Sequence, residues 1–182
     1  MKHANIILAK MASLVGTGAE HDESFPFTWL GMRLCGEALG RSPYVRIEVE
    51  FAVDDQTLSI PRYGYGHTVD TAYRNAEEDI WSDMYREPGP ISRVTVSVLT
   101  PRDNSVDYVP MYSVPLAEPL GWEELRRRSR GPVTGEALLQ VVYKAYCEEQ
   151  GYIAVDVVDV EAINRRAHAN QMWVSRHYGR PA

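Results

Sequence analysis

Between Tyr44 and Val53 the chain alternates with a strict period of two. Val45, Ile47, Val49, Phe51 and Val53 are apolar, and Arg46, Glu48, Glu50 and Ala52 stand between them. A strand sends successive side chains to opposite faces, so the pattern describes a strand buried on one side and solvated on the other. A helix would scatter the same residues around its circumference. A half-buried strand needs partners beside it and a covering layer on one face, which sets the terms for the rest of the chain.

The neighbouring segments supply both. Asp54-Asp55-Gln56 signals a turn, and Thr57 to Pro61 with the residues after it reads as the returning strand, with Pro61 favouring an edge. Thr68 to Tyr85 has helical spacing. Val69, Ala72, Tyr73, Ala76, Ile80 and Met84 form one apolar stripe beside Trp81, Thr68 suits the N-cap, and Asp70 lies in the first turn. Pro88-Gly89-Pro90 closes that region. A second unit of the same kind follows: Ser92 to Thr100 alternates, Pro101 to Asn104 reads as a turn, and Val106 to Val114 as a paired strand.

Trp122 to Ser129 is a short basic helix, and Thr134 caps a longer one to Gln150, with Gly151 at its exit. The β-branched run Tyr152 to Val158 is expected to be a buried strand, and Asp159 to cap a helix through Ala169. Upstream, Ala4 to Val15 and Phe27 to Leu39 read as helices. The order is α-α-β-β-α-β-β-α-α-β-α. It predicts one α+β domain over residues 1–182, with a mainly antiparallel sheet of two hairpins plus one further strand, flanked by helices. Residues 1–40 form a helical segment, 44–169 the core, and 170–182 a basic aromatic tail.

Composition excludes several functional classes. With 45% hydrophobic and 24% charged residues the chain can build a core, and no apolar run reaches the length that spans a membrane. Two cysteines cannot build a disulfide scaffold or a four-cysteine zinc site. The apolar start is interrupted by Lys10, unlike a secretory signal, so a cytoplasmic location with reduced, inert Cys35 and Cys147 is expected. A Cys-His catalytic pair would need a long-range contact. Walker A, His-Glu-x-x-His, Gly-x-Ser-x-Gly and Cys-x-x-Cys patterns are all missing. No metal or other cofactor is expected. His21-Asp22-Glu23 reads as a solvated loop, and Asp159 as a cap.

Charge is distributed unevenly. The net charge is −6, and residues 1–90 carry the whole excess, with 14 acidic and 8 basic side chains. Three candidate surfaces follow. Arg62-Tyr63-Gly64-Tyr65-Gly66-His67-Thr68 leads into a helix start. Its glycines would let a ligand approach, its tyrosines would stack, and Arg62 or His67 would meet an anion; the plain reading is a glycine-bearing turn with tyrosines against the sheet edge. Glu77, Glu78, Asp79 and Asp83 form an acidic helix face, either a docking patch or a solvated side, and Glu48, Glu50, Asp54 and Asp55 would extend it if the helix packs beside that hairpin. Arg126, Arg127, Arg128 and Arg130, with Arg176 and Arg180 later, form basic clusters that would either meet phosphates or pair with the chain's own acids.

The resulting expectation is a non-enzymatic binding protein that meets a protein partner through Arg62, Tyr63, Tyr65, His67 and the acidic helix. Homo-oligomers are compatible with it. A narrower version is an inhibitor or accessory factor of a phage or other mobile element, acting on a host nucleic-acid-handling complex. The alternatives are a nucleic-acid-binding regulatory domain using the arginine clusters, and an enzyme whose site assembles in the fold around His67.

Overall fold

The computed structural model describes residues 43–53, 56–82, 88–101, 106–153 and 158–178. The expected helices before residue 40, the turns at 54–55 and 102–104, Cys35, Asp83 and Arg180 lie outside them. The chain divides into two compact units. One comprises Pro43–Thr100 and Asp107–Ala167, and the other Met1–Ser42, Pro101–Val106 and His168–Ala182.

The first unit is a four-stranded antiparallel sheet with helices, the α+β class expected. β1 (Val45–Val53) and β2 (Gln56–Gly66) form one hairpin, and β3 (Ile91–Pro101) and β4 (Val106–Leu120) the other. The strand order is β2-β1-β3-β4, so the strand with the cleanest alternation is central and the two strands with prolines in their interior, β2 and β4, lie at the edges. Residues Val45, Ile47 and Val49 of β1 and Val94, Val96 and Val98 of β3 pair in register and are fully buried.

The helices are α1 (Val69–Ile80), α2 (Trp122–Ser129), α3 (Gly135–Glu149) and α4 (Val160–Tyr178). Each expected cap forms. The Thr68 and Thr134 side chains accept from backbone N–H groups three residues on, and Asp159 accepts from the Ala162 N–H at 2.7 Å. Gly151 has φ +68° and ends α3 in a Schellman motif, with the Gly151 N–H donating to Glu148 and the Tyr152 N–H to Cys147. α1 lays Val69, Ala72, Tyr73, Ala76 and Ile80 into the core, and α3 adds Leu138, Leu139 and Val142.

Four expectations change. The glycine-tyrosine segment is the second half of strand β2, not a turn. β4 runs on to Leu120, and α4 to Tyr178. Tyr152 and Ile153, expected in a buried strand, are 64% and 87% exposed and lie in no strand, because the left-handed Gly151 turns the chain outward; residues 154–157 are outside the described set.

Gly64 and Gly66 fix how the helix layer sits. A Cβ on Gly64 would lie 1.9 Å from the Ala72 carbonyl oxygen and crowd the Ala76 backbone, and one on Gly66 would strike Thr71 and the Ala72 N–H. α1 therefore rests backbone to backbone on β2, with alanines on its own side of the contact. Gly64→Ala is expected to cost about 3 kcal/mol, the upper end for overpacking, because backbone and not a side-chain tip must move. Gly131→Ala, where a Cβ meets nothing within 4 Å, is expected to change stability by less than about 0.5 kcal/mol. Urea unfolding of both variants checks the pair.

Candidate functional site

Strand parity divides the Arg62–His67 segment. Arg62, Gly64 and Gly66 pair with Val49, Ile47 and Val45 and face the helices, whereas Tyr63 and Tyr65 pair with Glu48 and Arg46 and face away. The glycines thus admit α1, not a ligand. The helix start they lead to is already capped: the Val69 N–H donates to Asn164 Oδ1 at 2.9 Å and the Thr71 N–H to Thr68 Oγ1. An anion has little left to gain there. His67 is exposed at the junction.

The acidic helix face is partly committed within the fold. Asp70 accepts from the Glu136 N–H and so caps the first turn of α3. Asp79 lies 3.8 Å from the Arg62 guanidinium, an exposed pair worth at most about 1 kcal/mol. Glu77 is half-buried; burial, and then the Glu77 carboxylate, raise the Tyr73 hydroxyl above its ordinary value. Glu78 is exposed. Glu48 and Glu50 do not extend this patch, because they project from the opposite side of the sheet.

The arginine cluster is also largely paired. Arg127 donates two hydrogen bonds to the Glu124 carboxylate, and Arg128 donates to Glu124 at 2.5 Å and to Glu148 at 2.7 Å. Arg126 stacks 5.4 Å from the Trp81 ring centre, which contacts Trp122, and Trp122 contacts Phe51. Trp122 also donates its indole N–H to the Gly89 carbonyl. Arg130 is exposed and ends α2 with φ +56°. Arg176 is an exposed residue of the second unit. Of the four arginines on or beside α2, two hold acids and one holds a tryptophan, so they do not form one free basic face. That arrangement weakens the phosphate-binding alternative.

The face of the sheet opposite α1 is organised differently. Arg46 stands between Tyr65 on β2 and Ser97 on β3, Glu48 between Tyr63 and Thr95, and Glu50 between Pro61 and Arg93. Arg93 lies 3.4 Å from Glu50, and Arg46 lies 3.9 Å from Glu48. The Thr95 and Ser113 hydroxyls meet at 3.0 Å. Tyr108 of β4 reaches over β3. Its ring centre is 4.9 Å from the Arg46 guanidinium carbon and 5.8 Å from the Tyr65 ring, and its hydroxyl donates to the Pro43 carbonyl. The Tyr63 ring flanks the same guanidinium at 5.8 Å. Burial raises the Tyr63 hydroxyl above its ordinary value, with help from the Glu48 carboxylate.

Sequence reasoning found Tyr63 and Tyr65 but missed Tyr44, Arg46, Ser97 and Tyr108. The available signal was parity: Arg46 and Glu48 alternate with buried Val45, Ile47 and Val49, and Tyr63 and Tyr65 alternate with Gly64 and Gly66. Among the described residues no three His, Cys, Asp or Glu side chains gather into a metal site, and Cys147 is buried. No described helix is long and apolar enough to cross a membrane.

The Glu124 pairing makes a pH prediction. Hydrogen bonds from Arg127 and then Arg128 hold its carboxyl at about 2 against an ordinary 4.5. A carboxyl depressed in the folded state adds stability above 4.5 and loses it as pH falls toward 2. Glu124→Gln is expected to flatten that part of the acid-unfolding curve, measured by thermal midpoints across pH 2–5. An unchanged curve would show that the pairing contributes nothing to stability.

No protein-family model, curated protein or solved structure matches this chain.

Proposed function

We propose that this is a non-enzymatic binding protein whose contact surface is the sheet face opposite α1, around Tyr63, Tyr65 and Arg46, and that its partner is a protein. The observation that carries this reading is the composition of the face. Tyr63 is 37% exposed beside a stacked arginine, and tyrosine and arginine are the side chains that concentrate binding energy at protein interfaces. Its charges occur as near pairs of opposite sign, Arg46 with Glu48 and Arg93 with Glu50. Such a balanced face offers specificity to a protein that presents both signs, and little net attraction to a phosphate backbone. On the acidic helix face, the other candidate, Asp79 lies beside Arg62 and Glu77 is half-buried.

Affinity capture from lysate with matched variants tests the choice of surface. Tyr63→Ser and Arg46→Ala are each expected to reduce the retained protein by about tenfold, the effect of losing one interface anchor. Neutralising Glu78 and Asp79 together should leave capture unchanged, once thermal unfolding shows that the variants stay folded. Nuclease-sensitive retention would favour the nucleic-acid alternative. Undiminished capture by both sheet-face variants would overturn the proposal, as would retention of a second copy of this chain alone.

A further inference from the structure

A fully buried polar atom without a hydrogen bond costs about 1–3 kcal/mol, so such atoms rarely cluster without a reason. Five side-chain atoms of this kind occur among the described residues, and three belong to neighbouring residues: Arg46 pairs with Ser97 across the strands, and Arg46 and Tyr44 both act on the Tyr108 hydroxyl. The three atoms are Tyr44 Oη, Arg46 Nε and Ser97 Oγ. Tyr44 and Arg46 lie two residues apart and so on the same face of the sheet, and Ser97 is the register partner of Arg46. Tyr44 is 1% exposed and Ser97 fully buried. The other two atoms, on Tyr73 and Ser92, belong to α1 and to the start of β3.

All three groups can donate. Burial raises the Tyr44 hydroxyl well above its ordinary value and so keeps its proton in place near neutral pH. The arginine is always charged. Three groups that can each donate, one of them cationic, and none of these atoms hydrogen-bonded to an acceptor, are what the lining of an oxyanion site requires. Tyr108 roofs the place, with its ring on Arg46 and its hydroxyl tied to Pro43. The Arg46 side chain is 26% exposed and neighbours Tyr63, so the approach runs past Tyr63. Glu48, at 3.9 Å, is the internal competitor for the guanidinium, and that distance exceeds the 2.7–2.9 Å of a strong charged hydrogen bond.

We propose that Tyr44, Arg46 and Ser97 form a binding site for a small oxyanion, phosphate or carboxylate, beneath Tyr108 on the sheet face opposite α1. The oxyanion takes the Arg46 Nε–H and the two hydroxyl protons and displaces Glu48 from the guanidinium. This site goes beyond the protein-contact reading and does not depend on it, since free anions are the probes.

The test is NMR of the Arg46 Nε–H and Ser97 amide signals. Sodium phosphate and sodium acetate are titrated separately at constant ionic strength against sodium chloride. A saturable shift with phosphate, acetate or both is expected, and the comparison tells which oxyanion the site prefers. Arg46→Lys, which keeps the charge but loses the Nε donor, and Ser97→Ala should each weaken binding by about tenfold. Without the anions, Ser97→Ala is expected to unfold no earlier than the parent, because the hydroxyl it removes was unpaired. The absence of a saturable shift with either anion would overturn the site. So would equal binding by both variants, or a Ser97→Ala protein that is destabilised without anion.

Discussion

The contact of α1 on β2 sets the rest of the structure. Gly64 and Gly66 let two backbones meet where any side chain would hold them apart. The helix layer is thereby committed to the face that carries Val45, Ile47 and Val49. Because side chains alternate along a strand, the same commitment sends Tyr63, Tyr65, Arg46 and Glu48 to the other face. Packing and candidate function are therefore two sides of one parity rule: a one-residue slip of β2 would exchange them.

The two faces use charge in different ways. On the helix side, charged groups hold elements together: Asp70 caps α3, Glu124 gathers Arg127 and Arg128, and Arg128 reaches Glu148. On the other face, the charges sit among tyrosine rings at longer distances, and three buried polar atoms are left without partners. Three of the five buried polar atoms without partners among the described residues belong to Tyr44, Arg46 and Ser97, while Thr68, Thr134 and Asp159 each cap a helix.

Much of the architecture was legible from periodicity and caps. The alternation through Val45–Val53 identified the central strand, and Thr68, Thr134 and Asp159 each marked a helix start through a local hydrogen bond. The Arg62–His67 segment was misread because glycines signal turns at short range, and their role here depends on a helix whose position only the fold reveals. Tyr152 and Ile153 were misread because β-branched composition alone cannot tell whether the turn at Gly151 delivers the chain to the sheet. The pairing of Glu124 with Arg127 and Arg128 was one of the two readings the arginine cluster offered, since residues three and four apart share a helix face. Tyr108 was not: its ring crosses a neighbouring strand to reach Arg46, a contact with no local trace.

The central claim is that the face opposite α1, and not the acidic helix, meets the partner. Site-specific photo-crosslinking tests it most directly, with a photoreactive phenylalanine placed at position 63 on the sheet face and, separately, at position 78 on α1. A discrete crosslinked protein is expected from position 63 and none from position 78. Crosslinking from position 78 alone would contradict it.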